Sequence, residues 1–425
     1  MEQNSRFDNW LSKLGAIFLF VLIIFLPLYE LILHILQSYT RLSVSAIFWL
    51  THFYEPIIIL FFIIYLIKFI VTRKLPKLGK VDFLATGLIA LSLIMVAIYH
   101  ADLQRGLEGL RFLVLPFVVY LLARFTGYKM PQKFIRIYLI LASIMAAMAV
   151  VEYFFLPPGY MNLYFHLAGF GFGQNGLINT TQATAILAGP NQLASYLILP
   201  FFYLLHRYFV TNKSALATAE SYLLILIALA IGLTYSRSAL IGLMVGAILM
   251  FIYFGRGQRD KVVYGILFII IAITLAVSFA LRNGELPGDL LTHGGSMLGH
   301  QTAMIESFKT FIHGGIFKIL FGFGVGSAGP LALKLGGIIS ENYYLQICFE
   351  LGFVGFVIYI LFLLGLLKMA LANSKTLFFA FVALLVNAFF LHIFSDNPAM
   401  AVSVFIIIAV VINAGENPIL SNKTN

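Results

Sequence analysis

Residues 223–251 read LLILIALAIGLTYSRSALIGLMVGAILMF. Two apolar runs, each near the ~20 residues that a membrane-crossing helix needs, flank the short turn TYSRSA. The turn carries Arg237. Neither run shows the polar stripe of a helix on the surface of a soluble domain, so the pair reads as two adjacent spans with the chain reversing between them.

The same alternation of apolar run and short polar connector extends in both directions. It places spans near residues 14–37, 44–70, 82–99, 110–124, 134–156, 191–210, 220–236, 238–255, 262–281, 343–367, 376–392 and 399–414. The expected fold class is therefore all-α: one polytopic membrane domain over residues 1–425, with about twelve transmembrane helices. With 61% hydrophobic and 10% charged residues and a mean hydropathy of +0.98, a soluble chain is excluded. The polar start MEQNSRFDNW precedes an apolar stretch too long for a signal-peptide core, so an uncleaved first span is expected. Cys348, in an apolar run, reads as a packing residue.

The net charge of +10 comes from basic residues clustered between apolar runs, which reports membrane topology rather than a nucleic-acid partner. With the N-terminus in the cytoplasm, 19 of the 27 Lys and Arg residues fall on that side, among them Arg73, Lys74, Lys77, Lys80, Arg124 and Lys133. The other face then receives Arg41, Arg105, Arg111, Arg237, Arg282, Lys309, Lys318 and Lys334. Both termini are expected inside. The long polar stretch 282–342 becomes an outer loop between the ninth and tenth spans, and segments 100–112 and 157–190 also lie outside.

The outer segments carry the candidate chemistry. Arg237 sits close to the hydrocarbon, where an arginine is costly unless it meets an anion or a polar cavity, and its forked donors match a phosphate or pyrophosphate. The alternative is an arginine that snorkels to lipid headgroups. Arg105 and Arg111, each three residues from Glu108, either form ion pairs along a helical turn or contact an anion, and Arg111 is nearer the apolar run. In SENYYLQICFELG, Ser340 or Glu341 would cap the tenth span, or Glu341 would act as general base on a hydroxyl beside Asn342 and Tyr343. His300 opens an expected amphipathic helix, HQTAMIESFKTFIHG, whereas His293 and His313 read as surface histidines. The glycine-rich FGFGVGSAG permits tight turns but lacks a P-loop lysine. No metal-ligand spacing and no nucleophile elbow appear.

Three stretches together resemble the O-antigen ligase and O-antigen polymerase superfamily of bacterial membrane glycosyltransferases. They are GPNQLASYLILP, TYSRSALIGLMVG, and IESFKTFIHGGIFKILFGFGVGSAG followed by ENYYLQICFELGFVG. The resemblance covers a core of residues 185–370, with the outer loop 282–342 inside it. It implies transfer of a glycan from an undecaprenyl pyrophosphate carrier to a hydroxyl acceptor, a glycan or glycolipid. The reaction runs at the outer face of the bacterial cytoplasmic membrane, without metal or other cofactor. Arg237 matches the arginine of the family's S-R-G-A-type turn, here with serine in place of glycine, and His300 stands about where relatives place a second arginine. Ligases show H-N where this chain has Glu341 and Asn342, which favours a polymerase-like enzyme over one joining glycan to lipid A core. A transporter or flippase of lipid-linked glycans is the competing class. The expected site is then Glu341 and Arg237 as catalytic groups, with Arg111, Arg105, His300, Asn342 and Tyr343 binding substrate.

Overall fold

A computed structural model of the protein describes residues 2–39, 53–72, 78–99, 103–156, 182–187, 189–210, 219–254, 294–329, 332 and 337–415. Every regular element among them is a helix: α1 (Glu2–Tyr39), α2 (Tyr54–Thr72), α3 (Lys80–Ile98), α4 (Leu103–Thr126), α5 (Pro131–Phe155), α6 (Pro190–Val210), α7 (Ala219–Leu233) and α8 (Arg237–Phe254) come first. After them follow α9 (Gly294–Ile312), α10 (Ile316–Phe321), α11 (Tyr343–Asn373), α12 (Lys375–Ala388), α13 (Ile393–Asp396) and α14 (Pro398–Ala414).

Eleven of the twelve expected spans coincide with one of these helices, and the expected ninth span, 262–281, lies outside the described residues. Seven of the helices, α1 to α5, α8 and α11, are long and apolar enough to cross a membrane. This is a multi-pass membrane protein. Three further apolar helices, α7, α12 and α14, are shorter. The 17 residues of α14 rise only ~25 Å against a hydrocarbon core of ~30 Å.

The chain divides into two compact units. The first comprises Met1–Ile137, Ala303–Lys375 and Phe394–Asn425, and the second Tyr138–Thr302 and Thr376–Ile393. In the first unit α14 is the central helix: every residue from Ala399 to Val411 is buried. Its apolar side chains extend around its whole circumference, which is what a helix enclosed by other helices requires. It packs against α4, α1 and α11. Phe117, Phe362 and Phe405 form an aromatic centre, with ring centroids 5.4 Å apart for the first pair and 6.1 Å for the last.

Polar ties fix the helix directions within this unit. At one end the carboxylate of Asp82, buried at the start of α3, accepts from Arg124 near the end of α4 at 3.0 Å and from the Tyr120 hydroxyl at 2.8 Å. Arg124 also contacts Asn413 at the end of α14, whose amide donates to the Ala123 carbonyl at 2.9 Å. At the opposite end Glu55, in the first turn of α2, meets Arg111 in α4. Thus α2, α4 and α14 run in one direction and α3 in the other, as the expected alternation demands.

In the second unit α6 packs on α7 and α8, and α8 on α12. Gly242 and Gly246 of α8 make the last contact possible. A Cβ at Gly242 would lie 2.4 Å from the Ala383 carbonyl oxygen, and one at Gly246 3.0 Å from the Phe379 carbonyl oxygen. Small residues four apart permit this close backbone approach between membrane helices.

Candidate functional site

At the start of α11, Glu341 is the residue with unusual backbone. Its φ of +51° is in the left-handed region, which costs a residue with a Cβ of order 1 kcal/mol or more. The next residue, Asn342, has extended backbone, and its side-chain oxygen accepts from the Leu345 N–H at 2.9 Å. The expected cap was Ser340 or Glu341; the helix is instead capped by Asn342, while the Ser340 hydroxyl donates to the Asn342 carbonyl at 3.2 Å. Tyr343 is buried, its ring 5.5 Å from that of Phe394 and 5.8 Å from that of Tyr359. Glu341 is half-buried at the edge of this cluster.

Two turns further along α11 lies a carboxylate that was not among the expected site residues. Glu350 is 1% exposed. Its Oε1 accepts from the Gln346 amide at 3.2 Å, and Gln346 in turn accepts from the Ser395 hydroxyl at 3.1 Å. The backbone amides of Gly326 and Ala328 face the same carboxylate, and its Oε2 has no hydrogen-bond partner. The signal was present in sequence: a lone carboxylate inside the apolar run ICFELGFVG is a functional-site hypothesis by default.

This arrangement accounts for the glycines of FGFGVGSAG. Gly322, Gly324, Gly326 and Gly329 all have positive φ. A Cβ at Gly322 would lie 2.4 Å from the Glu350 carbonyl oxygen, one at Gly324 2.8 Å from the Tyr99 ring, and one at Gly326 2.4 Å from the Arg105 carbonyl oxygen. The run serves close approach to α4 and α11. The Phe323 N–H donates to the Phe349 carbonyl at 2.8 Å, opposite Gly352, whose φ of +69° kinks α11.

Arg111 is held by two carboxylates. Its Nε lies 3.0 and 2.9 Å from the two oxygens of Glu55, and Nη1 contacts Glu108. The group carries more negative than positive charge. It lines a small cleft together with Tyr54, Phe112, Phe394 and Ser395. Ser395 and Phe394 thereby connect the cleft to Gln346 and to Tyr343 in the same unit. Arg105, partly buried on the same helix, backs onto the glycine run.

Arg237 and His300 belong to the second unit. Arg237 is the first residue of α8 and is partly exposed. Ser236 precedes it, its carbonyl accepting from the Leu240 N–H at 3.0 Å. Tyr235 has a φ of +51°, and its hydroxyl meets that of Tyr153 at the end of α5. Beside Tyr153, the buried Glu152 accepts from the Thr184 and Ala185 N–H groups at 2.8 and 2.7 Å and from the Thr184 hydroxyl at 3.2 Å. The Ala183 N–H donates to the Leu233 carbonyl at 3.0 Å. Two successive residues of α5 thus secure segment 182–187 and the turn that bears Arg237.

His300 lies seventh in α9 and does not open it as expected: the helix starts at Gly294, and the His300 side chain falls outside what the structure describes. His293 is also outside the described residues. His313 is exposed, its Nδ1 2.7 Å from the Lys309 carbonyl. Among the described residues no group of three His, Cys, Asp or Glu side chains is placed to hold a metal ion. No protein-family model and no curated protein matches this chain.

Proposed function

We propose that this protein is a glycosyltransferase of the bacterial cytoplasmic membrane that takes glycan from an undecaprenyl pyrophosphate carrier and adds it to a hydroxyl acceptor, in a polymerase-like manner. In this proposal twelve spans place both termini in the cytoplasm and the stretches bearing Arg237 and Glu341 on the outer face. The acceptor oxygen bonds to the anomeric carbon as that carbon's bond to the pyrophosphate oxygen breaks. The bonding electron pair leaves with the carrier, and the acceptor's proton passes to Glu341.

The observation that carries the reading is Glu341 itself: a half-buried carboxylate in strained backbone at the end of a span, next to a residue that already does the capping. Strain retained where a glycine would relieve it is a mark of functional positions. Arg237 supports the leaving-group half. Its guanidinium stands at the N-terminus of an 18-residue helix, where unpaired backbone amides and the helix dipole favour an anion. Arg111 is the weaker partner for pyrophosphate because Glu55 and Glu108 already offset its charge. We assign it to holding α2 and α4 together beside the acceptor.

The test is incubation of the purified full-length protein with undecaprenyl-pyrophosphate-linked oligosaccharide, with and without lipid A core, followed by gel analysis. A ladder of longer glycans without the core acceptor is expected. Product only with the core would replace polymerisation by ligation. Movement of the lipid across vesicle bilayers without any new glycosidic bond would replace transfer by transport.

A further inference from the structure

The helices α9 and α10 present an apolar face that nothing among the described residues of the first unit covers. The inward side of α9 is fixed by Ser307, whose hydroxyl donates to the Ile339 carbonyl at 3.1 Å, and by Phe311, whose ring lies 6.4 Å from that of Phe349. That rotation turns Ile305, Phe308 and Ile312 outward, at 50%, 54% and 49% exposure. They recur at helical spacing as one stripe. Glu306, Lys309, Thr310 and His313, all exposed, occupy the other flank.

The stripe does not stop at the end of α9. Ile316 and Phe317 of α10 are 74% and 50% exposed. α10 then docks on the kink of α11, where a Cβ at Gly352 would lie 2.3 Å from the Leu320 carbonyl oxygen. Immediately after the kink, Phe353, Val357, Leu361 and Leu364 form an exposed row along α11, a helix long and apolar enough to cross a membrane. An exposed row of this kind on a membrane span faces acyl chains. The apolar surface of α9 and α10 is therefore continuous with a lipid-facing surface, while the exposed Lys309 is placed to meet phosphate headgroups.

We infer that α9 and α10 lie in the membrane interface with Ile305, Phe308, Ile312, Ile316 and Phe317 among the upper acyl chains and the opposite flank of α9 in water. A helix with one apolar and one charged flank takes that position in a bilayer. This inference is independent of the proposed activity.

The test uses the full chain in vesicles of phosphatidylethanolamine and phosphatidylglycerol. The only tryptophans, Trp10 and Trp49, are replaced by Phe, and one reporter is introduced, Phe308→Trp or Thr310→Trp. Lipids brominated near the top of the acyl chain should reduce Phe308→Trp emission roughly to half or below, while aqueous iodide quenches only Thr310→Trp. Iodide quenching of Phe308→Trp would show a face open to water and overturn the inference. Protection of Phe308→Trp from both quenchers would show cover by protein, from a second copy or another segment of this chain, and would overturn it equally. If the tryptophan-free background does not fold, a nitroxide at Ile312→Cys in Cys348→Ala replaces it. Oxygen must then relax the label more than a water-soluble nickel chelate does, and the reverse order sinks the inference.

Discussion

The side-chain oxygen of Asn342 accepts the backbone N–H of Leu345 at 2.9 Å, so Asn342 and not Glu341 is the residue that caps α11. The two neighbours can therefore be separated by mutation. Asn342→Ala should lower stability by about 1 kcal/mol, the usual cost of a lost N-cap. Glu341→Gln should leave folded protein at normal levels and reduce transfer by about 10²-fold or more, the scale of a lost general base. Glu341→Gly should leave stability unchanged or raise it by up to about 1 kcal/mol, because glycine accepts positive φ, and should abolish transfer all the same. Thermal unfolding in detergent, measured beside initial transfer rates, decides the matter. Normal specific activity in Glu341→Gln ends the base assignment.

Arg237 can be examined by geometry rather than charge. Lysine keeps the positive charge but loses the fork that holds two oxygens at once. Arg237→Lys should cut transfer by about 10²-fold at unchanged abundance, the scale of one lost donor to developing charge. An arginine that only snorkels to headgroups would tolerate the change, so wild-type rates in this variant return Arg237 to that role.

Glu152 makes a prediction about stability that does not depend on any activity. Its carboxylate accepts from two backbone amides and one hydroxyl in segment 182–187. Glu152→Ala leaves both amides buried and unpaired, at roughly 1–3 kcal/mol each. Glu152→Gln keeps an oxygen for the amides and can donate to the Thr184 hydroxyl, so most of the stability should remain. A melting temperature equally depressed in both variants would mean that the negative charge matters, not the hydrogen-bond acceptors.

What could be read from the sequence followed from range. The helices were legible because an apolar run is a local property, and the turn between α7 and α8 appears where TYSRSA placed it. The partners of the polar residues were not. Glu55 and Arg111 are 56 positions apart, Arg124 and Asn413 are 289 apart, and only folding brings either pair together. The glycine run was legible as turns, but not as the seat of α11, since the atoms it approaches belong to Tyr99, Arg105 and Glu350. The apolar run around Glu350 marked it as a candidate, but the partners that surround its carboxylate, Gln346 and the amides of Gly326 and Ala328, come together only on folding. The cap of α11 depended on backbone angles: three successive residues, Ser340, Glu341 and Asn342, are each suited to a helix start, and the left-handed φ of Glu341 is what moves the cap to the third.

The membrane arrangement yields the last prediction. In the first unit, ion pairs and hydrogen bonds put the start of α3 beside the ends of α4 and α14, and the start of α2 beside Arg111 in α4. Consecutive helices there alternate in direction. Lys80 opens α3 at the end that also holds Arg124, and basic residues accumulate on the cytoplasmic side of membrane proteins. The proposed topology would put that end in the cytoplasm and position 290 on the opposite face. With Cys348 replaced by alanine, Leu75→Cys should react with a membrane-impermeant maleimide only after the cells are opened, and Leu290→Cys in intact spheroplasts. Equal labelling of both positions from one side would contradict the proposed twelve-span topology. Labelling of Leu75→Cys alone from outside would invert the protein and place Glu341 and Arg237 in the cytoplasm, where a pyrophosphate-linked glycan of the outer leaflet could not reach them.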